Sequence, residues 1–137
     1  MISEEPPSFE GKRVFVVEDS PLIADLIQDL LQDLGCELVG PTGNMGIAIE
    51  QAANLEFDAA IIDVNIRGGK VFPVAEILQR RGIPFLLASG YAKWDIPEQY
   101  GTTPRLHKPY TKASVRDGLE VLFQGHTESS RFMAARP

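Results

Sequence analysis

The chain has 137 residues, the length of one ordinary domain. Apolar residues make up 44% of it and charged residues 23%, a balance typical of globular proteins that excludes wholesale disorder. The formal net charge is −6 and there is no long run of lysine or arginine, which argues against nucleic-acid binding. A single cysteine excludes an internal disulfide bond and a cysteine-rich zinc site.

The ends of the chain carry no pattern typical of a membrane or secretion segment. No apolar stretch reaches the roughly 18 residues that span a bilayer, and the acidic segment Met1–Pro7 does not resemble a signal peptide. We therefore expect a cytoplasmic protein without membrane contacts. The predicted domain covers residues 12–124, between a flexible N-terminal segment of residues 1–11 and a C-terminal tail of residues 125–137.

One stretch near the C-terminus has two possible origins. Leu119–Gly125 matches the recognition sequence of a picornaviral 3C-type protease that is used to remove tags. The stretch is either derived from a cloning vector or a natural helix end, and its apolar residues continue the preceding helical pattern. We infer no function from residues after Gly118.

Short apolar runs alternate with helical patterns along the chain. The first run, Val14–Val17, is short and β-branched, which favours a buried strand, and Ser20 with Pro21 is a typical helix start. The predicted elements, in chain order, are strand 12–17, helix 21–34, strand 36–40, helix 44–55, strand 59–62, a glycine turn at 68–69, helix 71–81, strand 83–88, a weakly patterned segment at 91–101, strand 103–107 and a helix from 112. This alternation predicts an α/β fold with a parallel sheet covered on both faces.

Polar residues of distinct chemistry follow four of the predicted strands: Glu18 with Asp19, then Asp63, Ser89 and Lys108. Each has an ordinary explanation when it is considered alone. Asp63 can form a turn, Glu18 and Asp19 can complement a helix dipole, and Lys108 can be a solvated charge. Their joint position is more informative, because ligands bind at the carboxyl ends of parallel strands.

These residue types together favour phosphoryl chemistry. Three carboxylates that converge would repel one another unless a cation joins them. Oxygen ligands without histidine or cysteine favour Mg²⁺ over zinc. A hydroxyl and an ammonium group complete the set that phosphoryl transfer requires, and a carboxylate that attacks phosphorus forms an acyl phosphate.

Four segments resemble the receiver domain of two-component response regulators. They are Val14–Pro21, Ala60–Asn65, Leu86–Tyr91 and His107–Tyr110, in this order and with helices between them. The resemblance covers about residues 12–118. It implies a doubly wound, five-stranded parallel sheet of the flavodoxin-like order 2-1-3-4-5, with helices on both faces.

The resemblance also implies a phosphoacceptor and a magnesium site. Asp63 matches the phosphoacceptor position of the family. Asp19 and Asp63 match direct Mg²⁺ ligands, Glu18 matches a ligand that acts through water, and Asn65 matches the position whose backbone carbonyl binds the metal.

The remaining site positions include one departure from the family. Ser89 and Lys108 match the residues that bind phosphoryl oxygens, and the peptide bond before Pro109 is expected to be cis. Typical receivers have an aromatic residue three positions before the lysine, where this chain has Arg105. The usual coupling between a hydroxyl switch and an aromatic side chain is therefore not expected here.

A second departure is the short span between Ser89 and Lys108, with a poorly patterned fourth helix. Together with Pro84–Tyr91 and Val71–Ala75, it resembles a stand-alone subgroup described by a Phe-Ala-Thr-Gly-Tyr-like motif. Members of that subgroup often partner alphaproteobacterial sensor histidine kinases.

The function implied is a single-domain response regulator, not an enzyme in the ordinary sense. Its partners would be a sensor histidine kinase or phosphotransfer protein and a downstream protein, and a homodimer is a further option. Two alternatives stay open. One is a phosphorylation-independent interaction module on the same fold. The other is an Asp-nucleophile phosphatase of the haloacid dehalogenase type, although Asn65 stands where that class has a second aspartate.

Overall fold

The computed structural model describes residues 9–67, 69–89 and 96–135, while the side chains of residues 125–135 lie outside this description. Residues 1–8 of the predicted flexible segment, and Gly90 and Tyr91 of the family motif, also lie outside it. The described helices and strands are β1 (Arg13–Val17), α1 (Pro21–Asp33), β2 (Glu37–Thr42), α2 (Met45–Asn54), β3 (Ala59–Asp63), β4 (Asn65–Ile66), β5 (Gly69–Lys70), α3 (Phe72–Arg81), β6 (Phe85–Ser89), β7 (Arg105–His107) and α4 (Lys112–Ala135).

Five of these strands form one parallel sheet in the order β2-β1-β3-β6-β7. The antiparallel pair β4–β5 is a separate ribbon. When that ribbon is left out of the numbering, the order of the sheet is 2-1-3-4-5. The predicted flavodoxin-like sheet is therefore confirmed.

Helices cover both faces of the sheet. Val14 and Val16 belong to the core that β1 shares with α1 and α4, whereas Phe15 and Val17 belong to the core shared with α2 and α3. This alternation follows from the two-residue period of a strand. Because both faces are buried, polar side chains of the sheet can meet solvent only at the strand ends.

Local sequence signals set the helix ends. The Ser20 hydroxyl accepts a hydrogen bond from the Ile23 amide at 3.3 Å and caps α1. The Asn44 side chain accepts one from the Ile47 amide at 3.0 Å and caps α2. Gly82, with φ of 73°, ends α3 in the left-handed conformation that favours glycine.

The second strand is longer than predicted. We expected it to end at Gly40, but β2 continues to Thr42, which pairs with Val17. The register shifts between the pair Phe15–Val39 and the pair Val17–Thr42. Gly40 lies at this shift and has a φ of +97°. An irregularity of this kind lets a strand resume its pairing after a glycine that a sequence pattern treats as a stop.

The hairpin β4–β5 was not predicted beyond its glycine turn. Its strands have two residues each, which is too short to show a period of two. The Val71 amide donates to the Val64 carbonyl at 2.9 Å and closes the base of the hairpin.

A 3₁₀ turn at Glu98–Tyr100 lies in the weakly patterned segment between β6 and β7. Tyr100 is buried and stacks on Phe72 of α3, with ring centroids 5.3 Å apart. This aromatic contact anchors the turn to the face of the sheet that α3 covers.

Both ends of the described chain contribute to the folded domain. Phe9 is buried against Phe123, and the Gly11 amide donates to the Gly35 carbonyl, so residues 9–11 of the predicted flexible segment pack on the domain. Helix α4 runs to Ala135, past the predicted start of a tail at residue 125. No helix in the described ranges is long and apolar enough to cross a bilayer.

Candidate functional site

Three carboxylates meet at the carboxyl ends of β1 and β3. These strands are neighbours, with Val17 opposite Ile62, so Glu18 and Asp19 emerge beside Asp63. One ligand oxygen from each of the three residues lies within 4.8 Å of the others. The structure therefore brings together the acidic residues that the sequence places 44 positions apart, from Asp19 to Asp63.

Glu18 is held by the start of α1. Its Oε2 accepts a hydrogen bond from the Ser20 amide at 3.0 Å, and only 5% of the residue is exposed. Burial and the neighbouring charge of Asp63 together raise the pKa of Glu18 above its ordinary value. The cluster thus confines negative charge that a cation would relieve.

Lys108 supplies the positive charge of the site. Its Nζ donates to Asp63 Oδ2 at 2.8 Å and lies 3.1 Å from Glu18 Oε1. Burial acts to lower the pKa of Lys108, but the hydrogen bond and charge of Asp63, with the charge of Glu18, outweigh it and raise that pKa. The lysine is therefore a fixed cation across the neutral pH range.

The backbone around Lys108 holds it at the end of β6. Its amide donates to the Ser89 carbonyl at 3.1 Å, and the Lys108–Pro109 peptide bond is cis. Ser89 is buried at the end of β6, whose preceding residue Ala88 pairs with Asp63. Hydroxyl, carboxylate and ammonium groups thus occupy the ends of three adjacent strands.

Asn65 lies on the first strand of the hairpin, next to the carboxylates. Its amide N–H donates to Asp63 Oδ1 at 3.3 Å, and its side-chain oxygen accepts from Lys70 Nζ at 2.9 Å. Lys70 was missed in the sequence. The only feature of the sequence that could have identified Lys70 is its position across the glycine turn from Asn65.

Asp19 packs tightly against the loop that follows β2. A Cβ on Gly43 would lie 2.6 Å from Asp19 Cα, so glycine is required for this approach. A cavity of about 470 Å³ opens beside Asp19 and is also lined by Asn44, Ile47 and Arg67. The part of the cluster formed by Glu18 and Asp19 therefore borders an open cavity.

Arg105 does not enter the site. Its guanidinium donates to the carbonyls of Thr103 at 3.2 Å and Gly101 at 3.3 Å. Arg105 thus stabilises the loop that precedes β7.

The donor set fits a hard divalent cation. It consists of carboxylate oxygens, one from each of Glu18, Asp19 and Asp63, that lie within 4.8 Å of one another. An oxygen-only cluster of this kind suits Mg²⁺ better than zinc.

Solved structures that resemble this chain share its fold and part of its sequence. SdrG from Sphingomonas melonis is 38% identical, with a TM-score of 0.74, and the match covers 82% of this chain and 97% of SdrG. A second SdrG structure, in the BeF3-activated conformation, has a TM-score of 0.69. The receiver domain of sensor histidine kinase PA1611 from Pseudomonas aeruginosa is 21% identical, with a TM-score of 0.72 over 82% of this chain and 97% of that domain.

The chain belongs to the response regulator receiver family. A curated relative is the transcriptional regulatory protein PdtaR of Mycobacterium tuberculosis, 27% identical over 114 residues, which are 80% of this chain and 56% of PdtaR. The chain thus spans about half the length of that relative. No protein-family model matches the chain. As a receiver, the chain has a role in two-component signalling.

Proposed function

We propose that this receiver is a single-domain response regulator that accepts a phosphoryl group on Asp63. The donor is a phosphohistidine on a sensor histidine kinase or phosphotransfer protein, and the reaction depends on Mg²⁺. The observation that carries this proposal is the arrangement around Asp63: two further carboxylates lie close to it, and the Lys108 ammonium lies 2.8 Å from its Oδ2. The BeF3-activated structure of SdrG, a 38% identical relative, supports it.

The proposed transfer moves the phosphoryl group from nitrogen to oxygen. A carboxylate oxygen of Asp63 bonds to phosphorus while the bond from phosphorus to the donor imidazole breaks, and the electron pair of that bond stays on the imidazole. Glu18, Asp19, Asp63 and the Asn65 carbonyl would hold the cation, which supplies charge neutralisation when bound.

After transfer, Lys108 and Ser89 bind phosphoryl oxygens. The phosphoryl group carries roughly −1.5 to −2 charges. It replaces the single negative charge of the Asp63 carboxylate, so negative charge at this buried end of the sheet increases. Lys108 exchanges its bond to Asp63 for one to the phosphoryl group, and the surrounding loops shift toward an active conformation. Output is a contact with a downstream protein, or removal of phosphate from a shared kinase, in the cytoplasm.

The test is phosphorylation of the purified chain by acetyl phosphate with Mg²⁺. Intact-mass analysis should show one added phosphoryl group in the wild type and none in Asp63→Asn. Asp25→Asn, which changes an exposed carboxylate on α1, is the matched control and should be phosphorylated normally.

The interaction module is a second candidate because of Arg105. This position carries an arginine whose guanidinium is bound to loop carbonyls. An aromatic side chain that could couple to Ser89 is therefore missing at this position. If the wild type gains neither a phosphoryl group nor a fluoroberyllate complex, the module replaces our proposal. Steady turnover of free phosphate esters would instead support a phosphatase.

A further inference from the structure

Lys70 is placed beside Asn65 by the hairpin. Asn65 and Lys70 are paired in the register of β4 and β5, and Lys70 Nζ donates to Asn65 Oδ1 at 2.9 Å. Paired residues of an antiparallel ribbon extend to the same face. The backbone therefore sets this contact, so that less side-chain freedom is lost when it forms.

The base of the hairpin is fixed to the core. The Val64 amide donates to the Ala88 carbonyl at 3.0 Å, and the Val71 amide donates to the Val64 carbonyl at 2.9 Å. Val64, Ile66 and Val71 are buried. Lys70 thus directly precedes a residue that is buried in the core, Val71, although its own side chain is exposed.

The Asn65 backbone lies next to the Asp63 side chain. Val64 between them points into the core, and the Asn65 amide N–H donates to Asp63 Oδ1 at 3.3 Å. This hydrogen bond brings the Asn65 backbone to the Asp63 carboxylate. The side chain of Asn65 therefore leaves the backbone beside the carboxylate that would carry the phosphoryl group.

The chemistry of lysine decides how the Asn65 amide is oriented. An ammonium group can only donate hydrogen bonds, so the amide oxygen must face Lys70 and the NH₂ group is turned away from it. We propose that Lys70 is a positioning residue for the chemistry at Asp63, because it keeps the Asn65 NH₂ group as a donor for phosphoryl oxygens and the amide oxygen away from attacking water. This inference rests on the proposed phosphorylation of Asp63.

The step affected is hydrolysis of the acyl phosphate. The oxygen of water bonds to phosphorus as the bond from phosphorus to the Asp63 oxygen breaks, and its electron pair returns to the carboxylate. The product is inorganic phosphate, and a proton from the water passes to solvent. An Asn65 amide released from Lys70 can turn its oxygen to this water and orient it, which shortens the lifetime of the acyl phosphate.

The experiment compares lifetimes after the phosphodonor is removed, by intact-mass analysis of the decay. Lys70→Met should shorten the lifetime roughly threefold to tenfold, the range that one hydrogen bond provides. Lys70→Arg, which keeps a charged donor, should restore most of it. Arg80→Met removes one exposed charge on α3 and is the matched control, with an unchanged lifetime.

A double-mutant cycle separates positioning from charge. In Asn65→Ala, whose backbone carbonyl is intact, a further Lys70→Met should have no effect if Lys70 acts through the amide. An equal effect of Lys70→Met in both backgrounds, or an unchanged lifetime in a protein that is phosphorylated normally, overturns this inference alone. A wild type that gains no phosphoryl group overturns the proposed function and this inference with it.

Discussion

At the scale of single residues, the site residues on the strand ends could be predicted and their environment could not. The order of Glu18, Asp19, Asp63 and Lys108 after apolar runs predicts that they meet, because parallel strands end at one edge. The contact of Lys108 with Glu18 at 3.1 Å depends on the conformation of the chain around residue 108. No periodicity in the sequence reports such a contact.

Cys36 allows a test of burial by pH. Burial, assisted by the charge of Asp58, raises the pKa of the Cys36 thiol from 9.0 to about 11. The folded state therefore keeps the proton that the unfolded state loses, and stability present below pH 9 falls as pH rises toward 11. By pH 11 the expected loss is roughly 2–3 kcal/mol in the free energy of unfolding.

The measurement is urea unfolding between pH 8 and 11, with Cys36→Ala as the control. The alanine variant loses some stability at every pH but lacks this titration, so the two curves should converge as pH rises. Tyr110 and Lys108 titrate in both proteins and cancel in the difference. Curves that stay parallel would show that the thiol titrates normally.

At the scale of elements, the alternation of strands and helices was predicted and irregular elements were not. The extension of β2 through Gly40 and Pro41 depends on pairing with β1, which the sequence of β2 alone does not contain. The hairpin β4–β5 is too short for a pattern. Segment 98–100 is held by the burial of Tyr100 against Phe72, a contact between distant residues. Each of these differences between the predicted and the observed elements thus arises from tertiary contacts.

Helix α4 lies close to β6 at Gly118. A Cβ at this position would lie 2.8 Å from Leu86 Cδ1, and Leu86 is fully buried. Gly118→Ala should therefore destabilise the fold by about 1–3 kcal/mol, despite the better helix propensity of alanine. Urea unfolding measures this loss.

Shortening Leu86 provides the matching control. In the background Leu86→Val, the added methyl group of Gly118→Ala has more room, so the loss should be clearly smaller than in the wild type. Equal losses in the two backgrounds would mean that the helix does not meet the sheet at this point.

At the scale of the whole molecule, the acidic cluster links ion binding to the stability of the fold. The three carboxylates are assembled only when β1 and β3 pair, so a cation held by them would bind the folded chain in preference to the unfolded one. At tenfold excess over Kd, Mg²⁺ should raise Tm by roughly 3–6 °C. Thermal unfolding with Mg²⁺ and with a chelator measures the difference.

Asp19→Asn should remove most of this gain, because it takes away a ligand and a charge from the cluster. Asp25→Asn makes the same chemical change on the exposed face of α1 and should keep the full gain. A normal Mg²⁺ response in Asp19→Asn would count against Asp19 as a ligand.

The two outermost strands of the sheet are poor templates for further strands. β7 is only three residues long, and β2 is interrupted by Gly40 and by Pro41, which has no amide hydrogen to donate. Strand addition from another polypeptide is therefore disfavoured at both margins. The same two margins also disfavour ordered aggregation of the molecule through its sheet edges.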